Sequence, residues 1–406
     1  MAFTTSSQSI LIAGCSVRAA AWSARQAGIS VIAADQFGDV DLLRHAERWL
    51  SLSADYHELP DYLVDAEIEG WIYTGGIENH PRLIASCAEQ SRLFGVGSDA
   101  VYKLRDPYLF RDIILTCGGR MPIMRPVTDL IPAGDWLVKP YHSGGGVRVQ
   151  HAGEATGSVE GCYWQRRVPG VPYSISFTAL GNEAYLLGAV RQFIATSPEI
   201  QVARSIRRKH PFLFCGGVTA KLEELGDSEE LRQFLGRVVE AIGLVGWCGM
   251  DVIKTASGQF EVLEINPRYT ATMELLERQQ QRSFYPLHLD ACRGTPLDQT
   301  LEAPPMQERP GISVAKQILY TPTDLPIPTD GVGTLLGGRF VDDETSDILL
   351  ADQPQPGSLL PAGSPICTLI AHGTTEDEAL RTLRYHAGRL AIVLDQEKWS
   401  EYHRDL

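Results

Sequence analysis

Apolar and polar positions alternate between unbroken runs and helical spacing from the start of the chain. Ile10-Leu11-Ile12-Ala13-Gly14 is an apolar run closed by glycine, followed by Ser16 and a helical stretch reaching Ala27. Gly28 ends that stretch, and Ile29–Ala34 is a second buried strand stopping at Asp35. Strand, helix and strand make one β-α-β unit, which predicts an open parallel sheet. Gly14-Cys15-Ser16-Val17-Arg18 lacks the GxGxxG spacing of a dinucleotide site, so its glycine and Ser16 predict a turn and a helix cap. A further strand, Gly70–Tyr73, runs into Thr74-Gly75-Gly76-Ile77-Glu78-Asn79. Open α/β sheets bind ligands beyond the carboxyl ends of their strands, which makes this loop a candidate substrate wall with Glu78 as its acidic member. An ordinary turn using glycine for positive φ is the equal alternative. Residues 1–100 are expected to form one compact α/β domain.

The pattern shifts after Asp129. Trp136–Lys139, Tyr163–Val168 and Tyr173–Ala179 read as strands, the last two joined by a Pro-Gly-Val-Pro turn. Glu229–Gly243 has amphipathic helical spacing and leads into strands at Gly249–Lys254 and Phe260–Ile265. Beyond residue 295, proline-rich segments separate short strands at Ser313–Tyr320 and Arg339–Val341, and Glu376–Ala391 closes as a helix.

Composition narrows the function. At 406 residues, roughly three domains of about 100–150 residues are expected. A hydrophobic share of 44% and a charged share of 21% indicate a globular chain. The net charge of −14 argues against a nucleic-acid partner, although local Lys, Arg and a divalent metal can still hold a polyanion. Met1–Gln8 has no secretory pattern and no apolar stretch reaches membrane-spanning length, so a cytoplasmic chain without a membrane partner is expected. The eight cysteines are scattered singly and read as small buried hydrophobes in a reducing compartment.

The chemistry concentrates in Gly249-Met250-Asp251-Val252-Ile253 and Val262-Leu263-Glu264-Ile265-Asn266-Pro267-Arg268. Adjacent antiparallel strands would aim Asp251 at the face carrying Glu264 and Asn266, which are two residues apart. Two carboxylates and an amide oxygen form a hard donor set suited to Mg2+, with Mn2+ as the alternative ion, bridging nucleotide phosphates. Arg268 could balance phosphoryl charge with a bidentate fork. A merely polar outer face is the bland alternative, but Glu264 and Asn266 interrupt an otherwise apolar strand. A second signal is Lys139 before His142-Ser143-Gly144-Gly145-Gly146, where glycines let backbone N–H groups approach phosphate oxygens and lysine adds a point charge.

Lys139 with its glycine loop, Gln165-Arg166-Arg167-Val168, Asp251 and Glu264-Ile265-Asn266-Pro267-Arg268 together resemble the ATP-grasp superfamily. The resemblance implies a pre-ATP-grasp α/β domain (1–100) and an ATP-grasp domain (101–295) whose lid part is about 120–180. A strand-rich C-terminal region (296–406) follows, in which Gly363–Leu369 is similar to strands of biotin-carboxylase-like members. It implies ATP with Lys139, Ser143, Gly144, Gly145 and Gly146 on phosphate and Gln165, Arg166 and Val168 at the adenine-facing hinge. Asp251, Glu264 and Asn266 would hold the metal, and Arg268 would stabilise the transferred phosphoryl group. Two positions depart from the pattern. Lys103-Leu104-Arg105-Asp106-Pro107 has proline where a nucleotide lysine is expected, leaving Lys103 or Arg105 as the substitute. Pro172-Tyr173-Ser174 stands where a ribose-binding glutamate is usual.

The activity implied is carboxylate–amine ligation through an acyl phosphate, which suits a chain with no Ser-His-Asp or Cys-His signature. Gly75-Gly76-Ile77-Glu78-Asn79 and Asn266-Pro267-Arg268-Tyr269-Thr270-Ala271 resemble a branch found with methanofuran and tetrahydromethanopterin C1-cofactor pathways, of which a tyramine–glutamate ligase is a relative. That implies an amino acid such as glutamate as acid and a small amine as acceptor. Thr270, at the start of an expected helix after the metal strand, and Arg208, in the basic stretch Gln201–Lys209, are further substrate candidates. A bicarbonate-activating enzyme and a non-catalytic ATP sensor are the rival readings, and a homodimer is the expected oligomer.

Overall fold

The computed structural model describes residues 9–64, 68–130, 133–155, 158–296, 312–332 and 347–394. The chain begins with β1 (Ser9–Gly14), α1 (Arg18–Gln26), β2 (Val31–Asp35), β3 (Arg48–Ser51), α2 (Leu59–Tyr62) and β4 (Ile68–Tyr73). The four strands form a parallel sheet in the order β3-β2-β1-β4. The expected opening β-α-β unit is therefore present, with β1 and β2 buried throughout. Ser16 does not cap α1: the Val17 amide donates instead to Asp35 Oδ2 at 2.7 Å.

Three helices follow: α3 (Pro81–Gln90), α4 (Ser98–Arg105) and α5 (Pro107–Thr116). The α4–α5 junction explains Pro107. Asp106 accepts from the amides of Tyr108 and Leu109, and Pro107 occupies the first helical position, where a missing N–H costs nothing.

A small antiparallel sheet comes next, from β5 (Met124–Pro126), β6 (Trp136–Pro140), β7 (Gln150–His151) and β8 (Cys162–Arg166), in the order β5-β8-β6-β7. Its own core is slight, with Trp136, Val138 and Trp164 as the buried members. The chain then enters β9 (Val171–Leu180), β10 (Glu183–Ile194), α6 (Arg204–Lys209), β11 (Phe214–Ala220), α7 (Ser228–Ile242), β12 (Gly246–Lys254) and β13 (Phe260–Asn266). Helix α7 buries Leu231, Phe234, Leu235, Val238, Val239 and Ile242 on one face; Asp227 caps its start and Gly243, at φ 86°, ends it.

After α8 (Met273–Gln280) and α9 (Tyr285–Arg293) come β14 (Ser313–Tyr320), β15 (Leu325–Pro326), β16 (Ile348–Ala351), β17 (Leu359–Leu360), β18 (Pro365–Gly373) and α10 (Glu376–Leu394). The central sheet has eight strands, β13-β12-β9-β10-β11-β14-β18-β16. The C-terminal strands thus extend the sheet that carries β12 and β13, through pairing of β11 with β14. The strand expected at Arg339–Val341 lies outside the described residues.

A buried ionic cluster ties these parts together. Arg18 of α1 forks onto Glu274 of α8 at 2.5 and 2.9 Å, and Lys316 of β14 and Arg278 reach the same carboxylate at 2.7 and 3.0 Å. Burial pushes the Glu274 carboxyl up, but Arg18, Lys316 and Arg278 outweigh it and hold the group well below its usual range. No helix among the described residues is long and apolar enough to cross a membrane.

Candidate functional site

The cleft between the small sheet and the central sheet, about 270 Å³, collects the motifs read from the sequence. Its floor is the β12–β13 hairpin. Asp251 pairs directly opposite Glu264, and a bulge beyond that pair leaves Leu263 as the extra residue. Asn266 stands opposite Gly249 and its Nδ2 donates to Asp251 Oδ2 at 3.1 Å and Glu264 Oε1 at 3.2 Å. Gln192 of β10 donates to Asp251 Oδ1 at 3.1 Å. Burial, then the neighbouring Glu264 carboxylate, pushes the Asp251 carboxyl up to about 7, although Ser174, Arg268 and Gln192 act the other way. Two half-buried carboxylates held side by side, with an amide whose oxygen and nitrogen can exchange places by rotation, suit a hard divalent cation: its charge would relieve the repulsion that raises Asp251.

One wall comes from the small sheet. Lys139 of β6 lies over the hairpin acids; burial lowers its ammonium pKa, but Tyr163, Glu264 and Asp251 more than offset this and raise it, so the charge is kept. The glycine loop is pinned rather than loose. The Phe214 amide donates to Gly145 O at 2.8 Å, and a Cβ on Gly146, at φ +73°, would lie 1.9 Å from Phe212 O. Gly144 and Gly145 have open space where a Cβ would be, so the backbone is left accessible. Ser143, Gly144, Gly145 and Gly146 all line the cleft, as do Gln165, Arg166 and Val168 at the far end of β8. Gln165 is buried, and its Nε2 has no hydrogen bond among the described residues.

The opposite end is closed by Arg268. The strand stops at Asn266, so Arg268 does not continue the face carrying Glu264 and Asn266; it turns toward the N-terminal sheet, where its Nε donates to Glu78 Oε1 at 2.6 Å. Its remaining nitrogens reach Tyr269 O at 3.2 Å and Asn266 Oδ1 at 3.5 Å. Thr270 lines the cleft, its hydroxyl bonded to that of Thr272 at 2.8 Å.

Three expectations need correction. Glu78 is 1% exposed and stands behind Arg268, so it is a holder of that guanidinium and not a substrate wall. Lys103 caps the end of α7, donating to Ala241 O and Ile242 O at 3.1 Å, and is turned away from the cleft. Arg208 is exposed on α6 and does not line the cleft. The helix expected after the metal strand begins at Met273, and Glu274 is fully engaged by Arg18, Lys316 and Arg278. Gln192 and Ser174, which support Asp251, were not anticipated; a glutamine inside the apolar strand β10 was the available signal.

Comparison with known proteins bears on the fold. Residues 119–272 match the family model of the ATP-grasp domain. No curated protein matches the chain. The biotin carboxylase domain of 2-oxoglutarate carboxylase from Hydrogenobacter thermophilus, solved as a dimer with MgADP and bicarbonate, superposes with a TM-score of 0.69 at 14% identity, covering 97% of this chain and 95% of that one. An L-amino acid ligase from Bacillus licheniformis gives 0.68 at 15% identity over 93% and 96% of the two chains. N5-carboxyaminoimidazole ribonucleotide synthetase from Thermotoga maritima gives 0.62 at 16% over 93% and 97%. The chain therefore has an ATP-grasp fold: a mixed α/β architecture with an N-terminal parallel sheet, antiparallel central sheets and a strand-rich C-terminal region.

Proposed function

We propose that the protein is an ATP-dependent carboxylate–amine ligase acting through an acyl phosphate. The observation that carries this reading is the Asp251–Glu264–Asn266 set lying between Lys139 with its glycine loop and Arg268, in one cleft. Asp251, Glu264 and Asn266 would hold Mg2+, or Mn2+ in its place, which when bound neutralises charge on the nucleotide phosphates.

The chain's own residues then position the reactants. Lys139 and the amides around Gly144 and Gly145 take phosphate oxygens, and Gln165, Arg166 and Val168 face the base. Arg268 stands where a substrate carboxylate meets the γ-phosphate. A carboxylate oxygen attacks the γ-phosphorus and the bond to ADP breaks. The amine nitrogen then attacks the acyl carbon, phosphate leaves, and the amine gives up a proton. Arg268, fixed by Glu78, balances charge on the phosphoryl group as it passes between oxygens.

Within this reading the acid is an amino acid such as glutamate, and the acceptor is a small amine. The resemblance of the stretches around Glu78 and Asn266-Pro267-Arg268 supports a role in C1-cofactor biosynthesis, and we place the enzyme in the cytoplasm as a homodimer. ADP release tests it across a panel of amino acids, with hydroxylamine as the trapping amine and Mg2+ present. Acid-dependent ADP release with hydroxamate formation is expected. Stimulation by bicarbonate alone would make the protein a bicarbonate-activating enzyme, and ATP binding without turnover would make it a sensor.

A further inference from the structure

We infer that Arg105 is a ligand for the terminal phosphate of the nucleotide, held in a crevice beside the main cleft; this rests on the ATP reading above. Arg105 is the last residue of α4, fixed by the turn at Asp106 and the start of α5 at Pro107. Its guanidinium is buried, with 9% of the residue exposed. The carboxylate within ion-pair reach is Glu78, whose Oε1 lies 3.4 Å from the terminal nitrogen Nη2. That same oxygen already accepts from Arg268 Nε at 2.6 Å. Arg105 Nε turns to the Glu78 carbonyl at 3.3 Å, and Nη2 makes no hydrogen bond among the described residues. A buried guanidinium nitrogen without an acceptor is uncommon in a folded chain and points to an absent partner.

The space beside it fits an oxyanion. Arg105 lines a crevice of about 40 Å³ together with Lys139, Ser143, Tyr163 and Glu264. Lys139, Ser143 and Glu264 also line the main cleft, so the crevice is a side chamber at the phosphate end. About 10–15 Å³ of such space holds one water, so the chamber has room for two or three phosphate oxygens and none for a base or sugar. If Asp251 and Glu264 serve a metal ion, Arg105 and Arg268 share Glu78 as their carboxylate among the described residues, and both carboxylates that act on Lys139 are taken. That deficit is met by the oxygens of a terminal phosphate. Lys103, on the other side of α4, has its ammonium engaged by α7 and cannot share the role.

Calorimetric titration of the full chain with ATP, ADP and AMP in Mg2+, comparing wild type with Arg105→Met and Arg105→Lys, tests this. Arg105→Met is expected to weaken ATP about tenfold or more, as loss of a charge-assisted hydrogen bond does, while ADP changes less than about threefold and AMP not at all. Arg105→Lys should fall between, because a point charge replaces only part of the fork. Thermal melting without nucleotide reports folding, and if Arg105→Met does not fold, the ATP-to-ADP affinity ratio of Arg105→Lys decides. An equal loss for ATP and ADP, or no loss for either, overturns the assignment while leaving the ligase reading intact. A wild-type chain that binds no nucleotide overturns both.

Discussion

Arg268 Nε donates to Glu78 Oε1 at 2.6 Å, joining the end of the β12–β13 hairpin to the loop after β4 of the N-terminal sheet. Glu78 is 1% exposed, and both burial and the guanidinium partners bear on it: burial raises its carboxyl pKa, while Arg268 and Arg105 outweigh this and lower it. The carboxylate is therefore a charged anchor for Arg268. Glu78→Gln keeps the shape and removes the charge. We expect kcat to fall about 10- to 100-fold, as misplacement of a positioned group by about an ångström does, with ATP affinity unchanged within about threefold. Steady-state ADP release and nucleotide titration check this split.

Asp251 gives a pH signature. Its folded pKa of about 7 lies above the unfolded carboxylate value, so its contribution to stability is fully present below the unfolded pKa and is lost as pH rises through about 7. The metal-free chain should melt at higher temperature near pH 6 than near pH 8 on this account. Asp251→Asn should shrink that difference, and it should abolish Mg2+-dependent nucleotide binding. Melting curves at the two pH values, with and without Mg2+, measure both effects.

The glycine loop separates a steric requirement from a functional one. Gly146→Ala places a Cβ 1.9 Å from Phe212 O at φ +73°, so it should displace the loop, lower stability and weaken ATP binding. Gly144→Ala meets nothing within 4 Å and should leave melting unchanged. Any loss of ATP affinity in that variant then reports backbone approach by phosphate.

Glu274 anchors α8 behind the site. Glu274→Ala leaves Lys316 and Arg278 buried without that carboxylate and Arg18 with Asp352 and Asp41 as its partners, and removing one member of such a cluster costs about 3–5 kcal/mol. Chemical denaturation should show a loss of that size. Because the Glu274 pKa is held well below its usual range, its contribution is present above the ordinary carboxylate pKa and fades as pH falls through the depressed one.

Much of the site was legible because its chemistry is local. Asp251, Glu264 and Asn266 lie on two consecutive strands, where alternation alone fixes the shared face. Lys139 and Gly144–Gly146 are likewise neighbours in sequence. Glu78, from the loop after β4, and Gln192, from β10, reach the same cluster from distant segments, and no spacing rule connects them to it. Lys103 and Arg105 are two apart on α4, roughly 200° around the helix, so they face opposite ways. Sequence leaves open which of the two faces the crevice; packing of α4 on α7 settles it. Ser313–Tyr320 reads correctly as a strand, but its union with the central sheet depends on β11 pairing with β14, a contact between segments far apart in the chain.

The most direct test follows oxygen. With the acid selected by the hydroxamate screen labelled with 18O in its carboxylate, one 18O should appear in the inorganic phosphate released, detected by phosphorus NMR, because the carboxylate oxygen that attacked the γ-phosphorus leaves with it. Unlabelled phosphate, or label recovered in AMP, would contradict an acyl-phosphate ligase.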